Sequence, residues 1–404
     1  MRVTIPYGRT TLDLEIRDAN LLAARRDALS PNLADASQAM REALEHPIDY
    51  PPLRLGVTPD DHVAIVIDEG IPRLTELLVA LLEHLQQAHI QPDAMTLVCP
   101  PPSTGQPWLD ELPDAFQDVH IEVHQPGDRK KLAYLATTKH GRRVYLNRTV
   151  AEADQVVVLA RRRYDPHTGY AGAETALFPW LAEQACIDEA AGYFDGEPPG
   201  DAPWALHAEA REVAWLAGAP FFVQVIEGGA DAIAHIVAGP LESSKVGQQL
   251  LDARWRVVFD QPADVVIATI TGDLARPTLD DFARAFHAAH RVAQPGGSIV
   301  LLAEAAPALG PAFEMFRRHD DPDLARSVLL KEKPLDMTAG WLWATAAPHA
   351  RLYLLSGLAS DVAEELYAIP LDHAGQTQRL LAESATCIVL PDAHRTLAVT
   401  ADHA

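Results

Sequence analysis

Short apolar runs bounded by turn signals recur along this chain, with helical patterns between them, and this alternation constrains the fold most. His62–Ile67, Met95–Cys99, Val119–His124, Val144–Asn147 and Gln155–Ala160 read as buried strands. The clearest helical pattern between them runs from Leu74 to His89. Strand, helix, strand in that order needs right-handed crossovers and gives a mostly parallel sheet with helices on its faces. A second series starts after Trp255. It comprises a strand at Asp264–Ile270, a helix at Leu279–Val292, a Gln294-Pro295-Gly296-Gly297 turn, a strand at Ser298–Ala303, and later strands at Leu352–Leu355 and Cys387–Leu390. Ahead of both, Val3 to Ile16 alternates about a Tyr7-Gly8 turn and reads as a β-hairpin. The expected architecture is α/β, with two domains of mostly parallel sheet flanked by helices. Their expected spans are 1–258 and 259–404, with a ligand cleft between the domains.

Composition narrows the function. The 404 residues are 48% hydrophobic and 22% charged, ordinary for a globular chain with a large core. A net charge of −23 argues against a nucleic-acid binder, which needs basic surface to displace counterions from phosphate. It also argues against attachment to anionic membranes. The apolar runs fall far short of the roughly 20 residues that span a bilayer, and the N-terminus lacks the apolar region of a signal peptide. Three isolated cysteines, Cys99, Cys186 and Cys387, encode neither a disulfide framework nor a cysteine zinc site. The expectation is a cytoplasmic protein whose partner is a small molecule, with the oligomeric state left open.

Four segments could carry chemistry. The first is Arg161-Arg162-Arg163-Tyr164-Asp165-Pro166-His167-Thr168-Gly169-Tyr170-Ala171-Gly172-Ala173-Glu174-Thr175-Ala176, where a strand ends, a loop supplies one imidazole, and a helix starts near Glu174. Ligands of open α/β sheets sit beyond carboxyl ends of strands. Glycines let the backbone approach them, and a helix start adds partial positive charge. His167 is the candidate acid/base there; a structural loop histidine is the competing reading. The second, Asp68-Glu69-Gly70-Ile71-Pro72-Arg73, follows a strand directly; Asp68 could orient a hydroxyl and Arg73 could grip a carboxylate or phosphate, or the segment is a turn and helix cap. The third, Pro100-Pro101-Pro102-Ser103-Thr104-Gly105, reads more simply as a stiff connector and cap. The fourth is Thr271-Gly272-Asp273, with Arg284 in the following helix; here the Pro-Gly-Gly turn invites comparison with methyltransferase sheets. Ten Lys/Arg against two acids between Arg129 and Arg163 could focus an anion or form a solvated face.

Taken together, these segments resemble the nickel-dependent lactate racemase family. The likeness runs in order through Ile5-Pro6-Tyr7-Gly8, His46-Pro47-Ile48, the Asp68–Arg73 loop, Pro102-Ser103-Thr104, Val150–Asp154, and His167 with Tyr170-Ala171-Gly172. The resemblance implies a racemase or epimerase of 2-hydroxy acids, in which hydride moves to a nickel-pincer nucleotide tethered through a lysine thioamide. Carried over by position, the tether lysine falls on Thr175, the arginine before it on Glu174, and the nickel-binding histidine near Ala191. The arginine of the first loop falls on Ile71, with Arg73 close by, and a helix lysine falls on Arg284. His167 keeps the second catalytic histidine's place. The implied site is therefore degenerate: His167 is catalytic, Asp68, Arg73, Gly169, Tyr170, Gly172, Thr175 and Arg284 bind the cofactor, no side chain ligates metal, and any pincer nucleotide is held non-covalently. A catalytically silent member binding a small anion or nucleotide is the alternative.

Overall fold

The computed structural model describes residues 1–24, 30–101, 106–194, 199, 204–218 and 220–403. The chain divides into two units. One comprises Met1–Leu29, Gly229–Asp231 and Asp252–Ala404; the other comprises Ser30–Gly228 and Ala232–Leu251. The chain opens with the expected hairpin, β1 (Arg2–Tyr7) and β2 (Thr10–Glu15), paired from Arg2↔Glu15 to Tyr7↔Thr10.

In the unit of residues 30–251, α1 (Ala36–Glu45) leads into β3 (Val63–Ile67), α2 (Leu74–Gln86), β4 (Met95–Cys99) and β5 (His120–Val123). Next come β6 (Leu132–Thr137), β7 (Arg143–Asn147), α3 (Arg148–Glu152) and β8 (Gln155–Arg161). After these the chain forms β9 (Arg163–Asp165), β10 (Gly169–Ala171), α4 (Ala173–Leu177), α5 (Gln184–Ala191) and α6 (Ala205–Leu216). The unit closes with β11 (Phe221–Glu227), β12 (Ile233–Gly239) and α7 (Ser243–Trp255). The main sheet has the order β12-β11-β8-β3-β4-β5, parallel except for β12. Alternation along the strands explains its two covered faces. Ile65, Ile67, Leu97, Val157 and Leu159 pack with Met40 of α1 and with Leu77 and Leu81 of α2. Ala64, Val66, Val98, Val156, Val158 and Ala160 pack with Ala173 and Leu177 of α4 and Ala214 of α6. The strand order reverses at β3 and β8, so their carboxyl ends flank the topological switch point.

One expected strand joins a different sheet. The Val144–Asn147 run does not enter the parallel sheet; as β7 it forms an antiparallel hairpin with β6, with Tyr134 opposite Tyr145.

In the other unit, β13 (Arg256–Phe259), β14 (Ala263–Thr269), α8 (Leu279–His290) and β15 (Ala293–Leu302) are followed by α9 (Pro311–Phe316), α10 (Pro322–Glu332) and α11 (Met337–Ala346). Then come β16 (Arg351–Leu355), α12 (Ser360–Glu365), β17 (Ala368–Pro370), α13 (Thr377–Ala382), β18 (Cys387–Leu390) and β19 (Leu397–Thr400). Its sheet, β17-β16-β15-β14-β18, is wholly parallel. The expected Pro295-Gly296-Gly297 turn lies inside β15: pairing with β14 jumps from Ala263↔Ala293 to Val265↔Ser298, so these residues bulge out of the ladder. Gly296 takes φ +76° there, and its N–H donates to His349 O at 2.7 Å.

The hairpin's apolar face, Ile5, Tyr7, Leu14 and Ile16, packs on Val265, Ile267, Val300 and Leu302. Gly8 N–H also donates to Ile270 O at 2.7 Å. These contacts group the first residues with the C-terminal sheet, whereas the expected 1–258 span put them with the first sheet. Among the described residues, no helix is long and apolar enough to cross a membrane.

Candidate functional site

The carboxyl ends of β3 and β8 bring the first two candidate segments together. Asp68 follows β3 and Arg161 ends β8, 93 residues later. Arg161 Nε donates to Asp68 Oδ2 at 2.8 Å and Nη2 donates to Oδ1 at 3.0 Å. Gly70 N–H and the Arg161 backbone N–H add bonds of 3.0 and 3.2 Å to the same carboxylate. Burial alone would raise the Asp68 pKa. The Arg161 charge and hydrogen bonds, the Arg163 charge and the Gly70 N–H outweigh it and hold the carboxyl at about 2. Side-chain exposures of 24% for Asp68 and 18% for Arg161 leave an edge of this charged pair open to solvent. The adjoining Glu69 accepts a 2.8 Å bond from Trp108 Nε1, which fixes the loop.

His167 sits in the turn between β9 and β10. Asp165 Oδ1 shapes that turn by accepting from the His167 and Thr168 N–H groups at 2.9 and 3.1 Å. The residue is only 2% exposed. Its Nδ1 lies 2.6 Å from Tyr193 O, and its ring centroid is 4.6 Å from that of Phe194. Gly169 opens β10 at φ +72°, a backbone conformation that favours glycine, and the Trp204 ring covers it. Tyr170 pairs with Tyr164 across the hairpin, and its carbonyl lies 3.1 Å from His207 Nδ1. Gly172 and Thr175 close the first turn of α4 on each other. Gly172 N–H donates to Thr175 Oγ1 at 2.9 Å, and that hydroxyl donates to Gly172 O at 3.0 Å.

Beneath this turn lies a buried charged network that reading the sequence did not single out. The side chains of Arg162 and Glu174 are both 0% exposed, with Nη1 and Oε2 2.9 Å apart. Arg162 Nε donates to Gln224 Oε1 at 3.0 Å, and Nη2 donates to the same oxygen. Gln224 Nε2 in turn donates to Ser243 Oγ at 3.0 Å. Burial pushes the Glu174 carboxyl up, but the Arg162 charge overrides it and holds the group at about 2. Burial lowers the His207 pKa, opposed by the Glu174 charge. The sequence signal was the arginine triplet itself, because a guanidinium that follows a buried strand into the fold must meet an acid there.

The remaining candidates lie elsewhere. Arg73 adopts φ +58° at the start of α2, and its Nε donates to Glu76 Oε2 at 2.7 Å. Arg284 Nε donates to Asp280 Oδ2 at 2.7 Å within α8. Thr271 gives its N–H and hydroxyl to Asp392 Oδ1 at 3.0 and 2.6 Å, and Asp273 pairs with Arg9 at 2.6 Å. Ser103 and Thr104 lie outside the described residues. Much of the basic run is met by nearby acids: Lys139 by Glu212, Arg142 by Glu189 and Glu209, and Arg148 by Glu152.

The fold is that of an α/β protein built on mostly parallel sheets, with the Asp68–Arg161 ion pair at a switch point of the first sheet. Residues 7–192 match the family described as the lactate racemase N-terminal domain. A lactate racemase of Thermoanaerobacterium thermosaccharolyticum is 22% identical over 368 residues, covering 84% of this chain and 83% of that protein. The structure of the lactate racemase apoprotein from the same organism superposes with a TM-score of 0.76 at 17% identity, over 98% of this chain and all of that one. A Thermotoga maritima protein gives 0.65 at 10% identity, over 92% of this chain and all of its own. Residues 7–192 thus carry the match to the lactate racemase N-terminal domain, and the chain is similar to a lactate racemase over most of its length.

The resemblance implies a tethered nickel-pincer nucleotide, and the residues present do not fit it. Thr175 offers no amine, and its hydroxyl is committed to its own helix start. Ala191, at the end of α5, has no donor side chain. A side chain at Gly172 would meet the Arg162 guanidinium at 2.5 Å, and one at Gly70 would meet that of Arg161. The room these glycines leave is filled by the chain's own side chains.

Proposed function

We propose that this protein is a lactate-racemase-like protein of the class that acts on 2-hydroxy acids, and that it takes up a small 2-hydroxy carboxylate at the switch point between β3 and β8. One observation carries the reading: an ionised carboxylate and two guanidinium-bearing residues, Asp68, Arg161 and Arg163, meet at the carboxyl edge of the sheet, within the span that matches the racemase domain. Arginine suits the acid's carboxylate, and a carboxylate held ionised accepts a bond from its 2-hydroxyl. In the racemase or epimerase reading, His167 moves the proton. The silent-binder reading is favoured by its burial and by the short contact from its Nδ1 to Tyr193 O. We place the protein in the cytoplasm, with a small-molecule anion rather than a nucleic acid or a membrane as its partner.

Calorimetric titration with (R)- and (S)-lactate, longer 2-hydroxy acids and mononucleotides tests the binding, and chiral chromatography of the recovered acid tests turnover. Arg161→Ala is expected to weaken binding of a 2-hydroxy acid roughly ten- to a hundredfold, the loss of one charge-assisted contact. Arg73→Ala and Arg284→Ala, paired within their own helices, serve as comparison variants. Absence of binding to the wild type, or identical titrations for wild type and Arg161→Ala, overturns the proposal. Interconversion that disappears in His167→Ala selects the enzyme; binding without interconversion selects the silent member.

A further inference from the structure

We infer that the Arg162–Glu174 ion pair is an internal plug. It occupies the space beneath Gly172 where the family resemblance puts a tethered nucleotide, and it keeps this chain free of the lysine-linked cofactor even when a lysine is supplied. The inference rests on the family resemblance and on the geometry around α4, independently of acid binding at Asp68.

Arg162 has no slack with which to move aside. Its backbone N–H donates to Val225 O at 2.8 Å, anchoring it to the neighbouring strand. Its guanidinium is divided between Gln224 and Glu174, and Gln224 is held by Ser243. Gly247 contributes by omission, because a side chain there would run into the Gln224 amide. The second Glu174 oxygen lies 3.4 Å from Arg211 Nη1. Two charges removed from water this completely depend on each other, and withdrawing either one strands its partner.

The arrangement is also of the wrong sign for a phosphate-bearing group. Such a group at the start of α4 calls for a cation beside the N–H groups of the turn. Position 174 supplies a carboxylate instead, and the cation that balances it is already satisfied from below. An incoming nucleotide would have to break the ion pair, expel the guanidinium and meet a freed carboxylate. Supplying an amine at position 175 changes none of these obstacles, so the lost tether and the plug are separate barriers.

The test has two arms. In the first, wild type and Thr175→Lys are each produced together with the enzymes that synthesise the cofactor, with a lactate racemase produced the same way as the loading control. Intact-mass spectrometry and nickel analysis are then run on folded protein. Both variants are expected to keep the mass of the bare chain and to lack stoichiometric nickel. An adduct or bound nickel in the wild type overturns the inference, and so does an adduct in Thr175→Lys, which would show that the space is open.

The second arm needs no loading and covers a Thr175→Lys variant that fails to fold. Gly172→Ala is expected to lower the melting temperature of the wild type by several degrees, because its methyl group meets a pinned guanidinium. The same substitution is expected to cost little in an Arg162→Gln/Glu174→Gln background, where the shorter side chain leaves room. A wild type that tolerates Gly172→Ala without loss, or an equal loss in both backgrounds, overturns the plug. Neither arm reads binding at Asp68 and Arg161, so the two proposals fail separately.

Discussion

Arg161 and Arg162 are adjacent in sequence, yet their surroundings differ sharply. Arg161 meets Asp68 at a partly solvated rim, while Arg162 runs inward to Glu174. Successive side chains of an extended segment leave on opposite sides, which is enough to separate them. Their energetic weights should differ accordingly. Glu174→Gln leaves a buried guanidinium without its counter-charge and should cost about 3–5 kcal/mol, measured by denaturant unfolding. The carboxyl also sets a pH dependence. A carboxyl whose folded pKa is depressed to about 2 contributes stability that is complete above its unfolded value, near 4.5. That contribution fades as pH falls through about 2, so wild type should lose stability across that acid window and Glu174→Gln should show a flatter profile. The arginine triplet was legible in the sequence, but its partners were not. Asp68 is 93 residues from Arg161 and Gln224 is 62 from Arg162, and no local pattern encodes such pairings.

The elements were most readable where burial is two-sided. Val63–Ile67 is apolar at every position and buried at every position, as a central parallel strand requires. The start of α8 at Leu279 was also visible, and in the structure Thr278 and Asp281 cap it reciprocally. Thr278 Oγ1 accepts from Asp281 N–H at 3.3 Å, and Asp281 Oδ2 accepts from Thr278 N–H at 2.8 Å. Thr278→Ala should therefore cost about 1 kcal/mol in thermal or denaturant unfolding. The β6–β7 hairpin was harder to place. Its strands are only partly buried, and Tyr134 is 54% exposed, so its pattern does not reveal which sheet it joins. The Pro295-Gly296-Gly297 bulge misled for a related reason. The residues that make a turn also make a bulge, and only pairing on both sides tells them apart.

At the scale of the molecule, the net charge of −23 is a standing cost, because like charges repel more strongly in the compact state than in the expanded chain. Raising ionic strength from about 0.01 M to about 0.15 M shortens the screening length from roughly 30 to 8 Å. The melting temperature should rise over that range in a neutral buffer, and calorimetry would read it. A fall would mean that the ion pairs along residues 139–162 outweigh the general repulsion. The alternation of strands and helices was enough to foresee two series of parallel strands. It could not show that the first residues join the last sheet, since a two-stranded hairpin carries no mark of the face it will cover.

That placement bears on how the chain is made. The hairpin β1–β2 leaves the ribosome before residues 30–251, but the carbonyl that receives Gly8 N–H belongs to Ile270, and the strands beneath the hairpin include β15. The unit of Ser30–Gly228 and Ala232–Leu251 emerges in between. An isolated two-stranded ribbon is only marginally stable in water. The hairpin is thus made well before its native neighbours, and a stall in translation before residue 302 would leave its apolar face uncovered.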